Sequence, residues 1–180
     1  MDKLFLIVDI YQNVDSLFHG FITVYTEEQV DQSKELPTGR IYCRKTILTS
    51  EQVDKINFYL KASGILKLPT DTLISGWGKG FDGVTYCLEY KADNLHTFKS
   101  FWNPQGQKEI FEGRLVNKFS ENVKLVTNID AIEKEFLSKI PFESYNTGGP
   151  STAILILTKE QLRKYKKDRD LYRKQHAGKL

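Results

Sequence analysis

The sequence predicts an α+β fold: a mostly antiparallel sheet of about five to six strands packed against two to four helices, in a single domain over residues 1–180. Two observations carry this expectation. Strand-like segments crowd the first half, and two stretches of the second half carry apolar residues at helical spacing. The first fifty residues also lack the regular strand–helix alternation that a doubly wound parallel sheet requires.

The elements follow in order. Residues 3–10 form a short apolar run, and residues 20–25, Gly-Phe-Ile-Thr-Val-Tyr, are rich in β-branched and aromatic side chains. Residues 26–38 are polar and read as a loop. Residues 40–48 alternate, with Ile41, Cys43 and Ile47 on one face and Arg40, Tyr42, Arg44 and Thr46 on the other. Thr49-Ser50-Glu51-Gln52 then fits a capping box ahead of Val53, Ile56, Tyr59 and Leu60, and Gly64 ends that helix. Helical spacing returns over residues 105–126 and 129–140, where Pro141 stops it. Thr147-Gly148-Gly149-Pro150 breaks the chain before a short apolar strand at 153–157, and Thr158-Lys159-Glu160-Gln161 opens the last helix with a second capping box.

Residues 84–91 and 95–102 read as a hairpin turning at Ala92-Asp93-Asn94. A two- or a four-residue loop gives the same faces, because strand side chains alternate with period two. One face holds Val84, Tyr86, Leu88, Tyr90, Leu95, Thr97, Lys99 and Phe101, and should lie on the core. The other holds Thr85, Cys87, Glu89, Lys91, His96, Phe98, Ser100 and Trp102. Glu89, His96 and Phe98 make that second face either a solvated rim or a small-ligand surface.

With 180 residues, 40% hydrophobic and 27% charged, the chain has ample material for a core. Two cysteines and five prolines exclude a disulfide scaffold, collagen and low-complexity disorder. Cys43 and Cys87 read as buried reduced thiols. Residues 158–180 carry nine Lys or Arg against three acids, leaving 17 against 20 in the remainder, so the basic character belongs to the last helix. Arg163, Lys166, Lys167, Arg169 and Arg173 are candidate phosphate contacts there, and nucleic acid is the partner they would imply. No stretch approaches the roughly 18 apolar residues of a membrane span. Leu4-Phe5-Leu6-Ile7-Val8 is flanked by Asp2 and Asp9, unlike a signal peptide, so the chain as it stands reads as cytoplasmic, with export after signal removal left open.

Catalytic kits are missing from the sequence. It contains no H-E-x-x-H, P-loop or G-x-S-x-G, and its three histidines lack metal-ligand spacing, so no metal or cofactor is implied. Gly78, Gly80 and Gly83 match G-x-G-x-x-G, but they lead into a strand rather than a helix, which removes the pyrophosphate-binding geometry. The same glycine-rich loop carries large aromatics. Trp77, Lys79, Phe81 and Asp82, with Trp102 and Asn103 at the far end of the hairpin, are candidate partner contacts, unless the aromatics fold back onto the core.

The run Leu68-Pro69-Thr70-Asp71-Thr72-Leu73-Ile74-Ser75-Gly76-Trp77, with Phe81-Asp82-Gly83 and Phe101-Trp102-Asn103-Pro104, resembles small uncharacterised α+β proteins of Bacteroidetes bacteria. That resemblance implies no activity and no site residues. The function expected is a non-enzymatic protein-interaction domain, immunity- or antitoxin-like, docking through the aromatic glycine-rich loop. The alternatives are nucleic-acid binding through the last helix and a ligand or enzyme site on the hairpin.

Overall fold

The computed structural model describes residues 4–29, 39–80, 83–92, 94–146, 152–154 and 157–176. Among them are seven strands and four α-helices, every ladder antiparallel, so the α+β expectation holds. The strands are distributed over three ladders instead of one sheet. The chain forms two compact units: Met1–Leu48 with Asp130–Leu180, and Thr49–Ile129.

The first unit is built on β1 (Phe5–Gln12), β2 (Phe18–Glu27) and β3 (Ile41–Ile47), in that spatial order. Asn13 makes the β1–β2 turn. Its side-chain oxygen accepts from the Asp15 and Leu17 backbone N–H groups, and Ser16 takes a positive φ of 62°. Register then sets the faces. Leu6, Val8, Ile22, Val24, Thr26, Tyr42, Arg44 and Thr46 share the inner side, where Ile22 and Val24 are fully buried. Tyr42 lies 4.9 Å, ring to ring, from Phe136 of α3 (Ile129–Leu137). Arg44 forms an ion pair with Glu135 of the same helix at 2.7 Å.

A short hairpin, β6 (Ser144–Asn146) with β7 (Thr152–Ile154), joins the end of β2 through a bridge between Glu28 and Tyr145. Thr26 Oγ1 donates to the Asn146 carbonyl at 2.6 Å, and the Ser144 hydroxyl donates to the Gln29 carbonyl. The polar stretch expected as loop is therefore ordered strand through Glu27, and β6 was not foreseen from the sequence. The Gly148-Gly149 break and residues 30–38 lie outside the described residues.

A charge sits at the centre of this unit. The Glu28 side chain is fully out of solvent and accepts from Arg40 Nε at 2.7 Å and Nη2 at 2.9 Å. A third donor is the Tyr165 hydroxyl, 2.6 Å from Glu28 Oε1. Tyr165 belongs to α4 (Lys159–His176), whose start is capped as expected. There Gln161 N donates to Thr158 Oγ1 at 3.2 Å, and Thr158 N to Gln161 Oε1 at 2.9 Å. The Arg40 guanidinium also faces the rings of Phe142 and Tyr165, at 5.1 and 5.5 Å.

The second unit holds α1 (Ser50–Ala62), the hairpin β4 (Thr85–Ala92) with β5 (Leu95–Trp102), and α2 (Phe111–Thr127). The Thr49/Gln52 capping box forms, and Gly64 follows α1 with a φ of 77°. The expected helix from residue 105 begins later, because Pro104–Gly106 is a 3-10 turn entered through a left-handed Asn103. Its other end is set by a second left-handed residue, Asn128, which separates α2 from α3. Ala92 pairs with Leu95, so the hairpin has the two-residue loop and the faces come out as expected. Phe101 is buried with Ile65, Ile74, Trp77 and Val116, while Tyr86 and Leu88 pack against them. Lys99, also buried on this side, donates to the Ile65 and Leu66 carbonyls of the 3-10 turn Ile65–Lys67, and burial lowers its amine's pKa.

Removing Arg40 would leave the Glu28 carboxylate buried without the guanidinium that offsets its charge. Arg40→Ala should therefore cost about 3–5 kcal/mol in chemical denaturation, and Tyr165→Phe about 1–2 kcal/mol. Burial, then the adjacent Glu28 carboxylate, pushes the Tyr165 phenol up to about 12. The native state thus holds a proton that the unfolded chain releases near 10, and stability should fall from pH 10 to about 12. That particular loss should be missing from Tyr165→Phe, and an identical alkaline profile for both proteins would refute the assignment.

Candidate functional site

Four surfaces can be judged: the glycine-rich loop, the outer hairpin face, the last helix, and the outer face of the three-stranded sheet.

The glycine-rich loop departs from the sequence expectation at Trp77. Trp77 is only 8% exposed, belongs to the core of the second unit, and donates its indole N–H to the Trp102 carbonyl at 2.8 Å. Its ring centre lies 5.8 Å from that of Phe101. A bulky indole next to a two-stranded hairpin has more to gain from burial than from solvent, and its one polar atom finds a partner. Trp77 is therefore a core residue and no surface anchor. Trp102 is half-buried and lies along the loop, so a Cβ at Gly80 would sit 2.5 Å from its ring. One at Gly83 would sit 3.0 Å from it. The loop's backbone is held too: Gly78 N donates to Gln107 Oε1 at 2.9 Å, and Gln107 Nε2 donates to the Gly78 carbonyl at 3.4 Å. These glycines answer to close packing under an indole. Lys79 is exposed and Asn103 half-buried, while Phe81 and Asp82 lie outside the described residues.

On the outer hairpin face, His96 Nε2 and Glu89 Oε1 are 2.7 Å apart, with both side chains more than half exposed. An open pair of this kind is a rim contact in high dielectric. Phe98 stands beside it, 64% exposed. Cys87 is on the same face and Cys43 on β3; both thiols are free and both residues exposed, which corrects the expectation that they are buried. Partial burial, then the nearby Asp71 carboxylate, raises the Cys87 thiol's pKa. Among the described residues no cluster of His, Cys, Asp and Glu could hold a metal ion, and no helix is long and apolar enough to cross a membrane.

The basic helix divides into two sides. Arg163, Lys166 and Lys167 are exposed, and Arg173 is half-buried. Arg169 is different: it is buried, with its guanidinium 5.4 Å from the Tyr165 ring. It lies one turn from Tyr165 on the docked side of α4, so it is removed from the phosphate-contact set.

Sequence reasoning missed the outer face of the β1–β2–β3 sheet. Cross-strand rows place Phe5 beside Tyr25 and Cys43, Ile7 beside Thr23 and Lys45, and Asp9 beside Phe21 and Ile47. Tyr11 pairs with His19 beyond one end and Glu27 with Ile41 at the other. Ile41 is 63% and Ile47 83% exposed, and Phe5, Ile7 and Tyr11 are exposed as well. The rings are ordered against each other: Phe5 stacks on Tyr25 at 4.9 Å, and Tyr11 meets Phe21 edge-on at 6.1 Å. Lys45 Nζ caps Phe21 at 3.1 Å from the ring centre. One signal was available: both faces of β1 are apolar in sequence, whereas a strand with one solvated face normally alternates with polar residues.

Comparison with protein-family models, curated proteins and solved structures finds no match.

Trp77→Ala should cost about 3–5 kcal/mol, the range for emptying a large aromatic site. Gly80→Ala should displace the Trp102 indole and change its fluorescence. A Trp77→Ala protein melting with the wild type would return that residue to the surface.

Proposed function

We propose that this protein is a docking module that holds a protein partner on the outer face of the β1–β2–β3 sheet. The observation that carries the reading is the set of large apolar side chains turned outward there, with Phe5, Ile7, Tyr11, Ile41 and Ile47 exposed. Exposed apolar surface that forms a contiguous patch marks contact sites, whereas scattered single residues do not. The chemistry suits a protein partner. Interface centres are rich in aromatics and poor in charge, and Asp9, Glu27 and Lys45 are the charged residues that the register puts on this face. Stacked rings on a paired sheet have little freedom to lose on binding, which favours affinity. An immunity- or antitoxin-like role, one rigid face masking one partner, is the finer form of this reading.

A second reading has its own observation. Arg163, Lys164, Lys166 and Lys167 stand exposed on α4, while Tyr165 and Arg169 hold its other side. Such a cationic face suits a polyanion and would bind it with steep salt dependence.

Ile47→Glu places a charge in the patch without touching the core, so stability should change by no more than about 0.5 kcal/mol. Partner recovery from native lysate by the tagged protein should drop at least about tenfold. Undiminished recovery would reject the sheet face. Recovery abolished by nuclease or by Lys166→Glu/Lys167→Glu would instead support the polyanion reading.

A further inference from the structure

The second unit carries a groove that the sheet-face reading leaves unused. It runs along the seam between α1 and α2, whose crossing is fixed where Gln52 Nε2 donates to the Val126 carbonyl at 2.9 Å. Its cavity volume is about 440 Å³. Tyr59 of α1 and Phe111, Leu115 and Phe119 of α2 form an apolar floor. The three α2 residues are four apart, so they make one straight row.

A second row runs parallel to it. Arg114 and Lys118 also line the groove, one turn apart, and no carboxylate lines it. Arg114 is pre-positioned, because its Nη1 donates to the Lys108 and Glu109 carbonyls, both at 3.1 Å. Lys118 is exposed and has no ion pair among the described residues. Beyond Tyr59 the seam continues as a second hollow of about 510 Å³, reaching Leu125 and Val126, where the only lining carboxylate, Glu51, is paired with Lys55 at 2.6 Å. The whole therefore follows much of α2, roughly 25 Å at 1.5 Å per residue. A compact small molecule would fill only part of it.

We propose that this seam takes an amphipathic helix of a partner protein, with its apolar stripe on the Phe111–Leu115–Phe119 row and acidic side chains one turn apart facing Arg114 and Lys118. Length selects an elongated occupant, an apolar floor with polar groups along one rim suits an amphipathic helix, and the cationic rim selects an acidic flank.

The test uses the full chain and two labelled helical peptides of about 18 residues, alike in their leucine stripe and differing only in glutamate or lysine on one flank. Fluorescence anisotropy should show the glutamate peptide binding at least about tenfold more tightly than the lysine peptide. Lys118→Glu, which leaves Arg114 as the one cation of the rim, should erase that preference, with far-UV circular dichroism confirming the fold. Equal binding of both peptides, binding indifferent to Lys118→Glu, or no binding of either below millimolar concentration would overturn the proposal. So would sedimentation showing that the chain buries this seam against a second copy. Ile47→Glu lies on the other unit and should leave peptide binding unchanged, which separates this outcome from that of the sheet-face reading.

Discussion

Glu28 holds a carboxylate wholly out of solvent, and the first unit is arranged to satisfy it. A charge in that position costs several kcal/mol unless donors surround it. Arg40 supplies two N–H groups from the start of β3, and Tyr165 supplies a hydroxyl from the last helix. The bridge from Glu28 to Tyr145 adds the β6–β7 hairpin to the same point. One carboxylate therefore ties together three segments distant in sequence. An apolar residue there would be as compatible with burial but would not specify which helix docks, and the polar network provides that selectivity.

From this anchoring follows the division of surfaces. With α3 and α4 drawn to the inner side of the sheet by Phe136 and Tyr165, the Ile41, Cys43 and Ile47 side of β3 is left outward. Its neighbours Phe5, Tyr11, Phe21 and Tyr25 organise among themselves by stacking, and Lys45 closes over one ring. The second unit solves a different problem. There Trp77 fills the core and ties its N–H to the hairpin, Trp102 lies over the glycines, and the apolar remainder of α2 borders the α1 seam.

Local chemistry was legible in the sequence. Both capping boxes, the stop after α1 and the faces of the β4–β5 hairpin depend on residues within a few positions of each other, and all formed as expected. What depends on distant partners was not. Glu28 sits in a polar run that reads as loop, and its hydroxyl donor is 137 residues away. The side of β3 that faces the core was decided by Arg44 reaching Glu135 and Tyr42 reaching Phe136, against the apolarity of Ile41, Cys43 and Ile47, which pointed to the other side. Trp77 read as a candidate loop contact with the core as the alternative, and its contacts with Phe101 and the Trp102 carbonyl place it in the core. Arg169 shared its composition with the exposed cations and differed only in its side of the helix.

If a partner sits on the outer sheet face, it covers Cys43, which is exposed on that face in the edge strand β3, beside Tyr25. The most direct measurement is partner recovery after alkylating Cys43 with a bulky maleimide in a Cys87→Ser background, against Cys87 alkylation in a Cys43→Ser background. Recovery should be lost in the first protein and retained in the second, with both folds intact by circular dichroism. Full recovery with Cys43 alkylated would contradict the account.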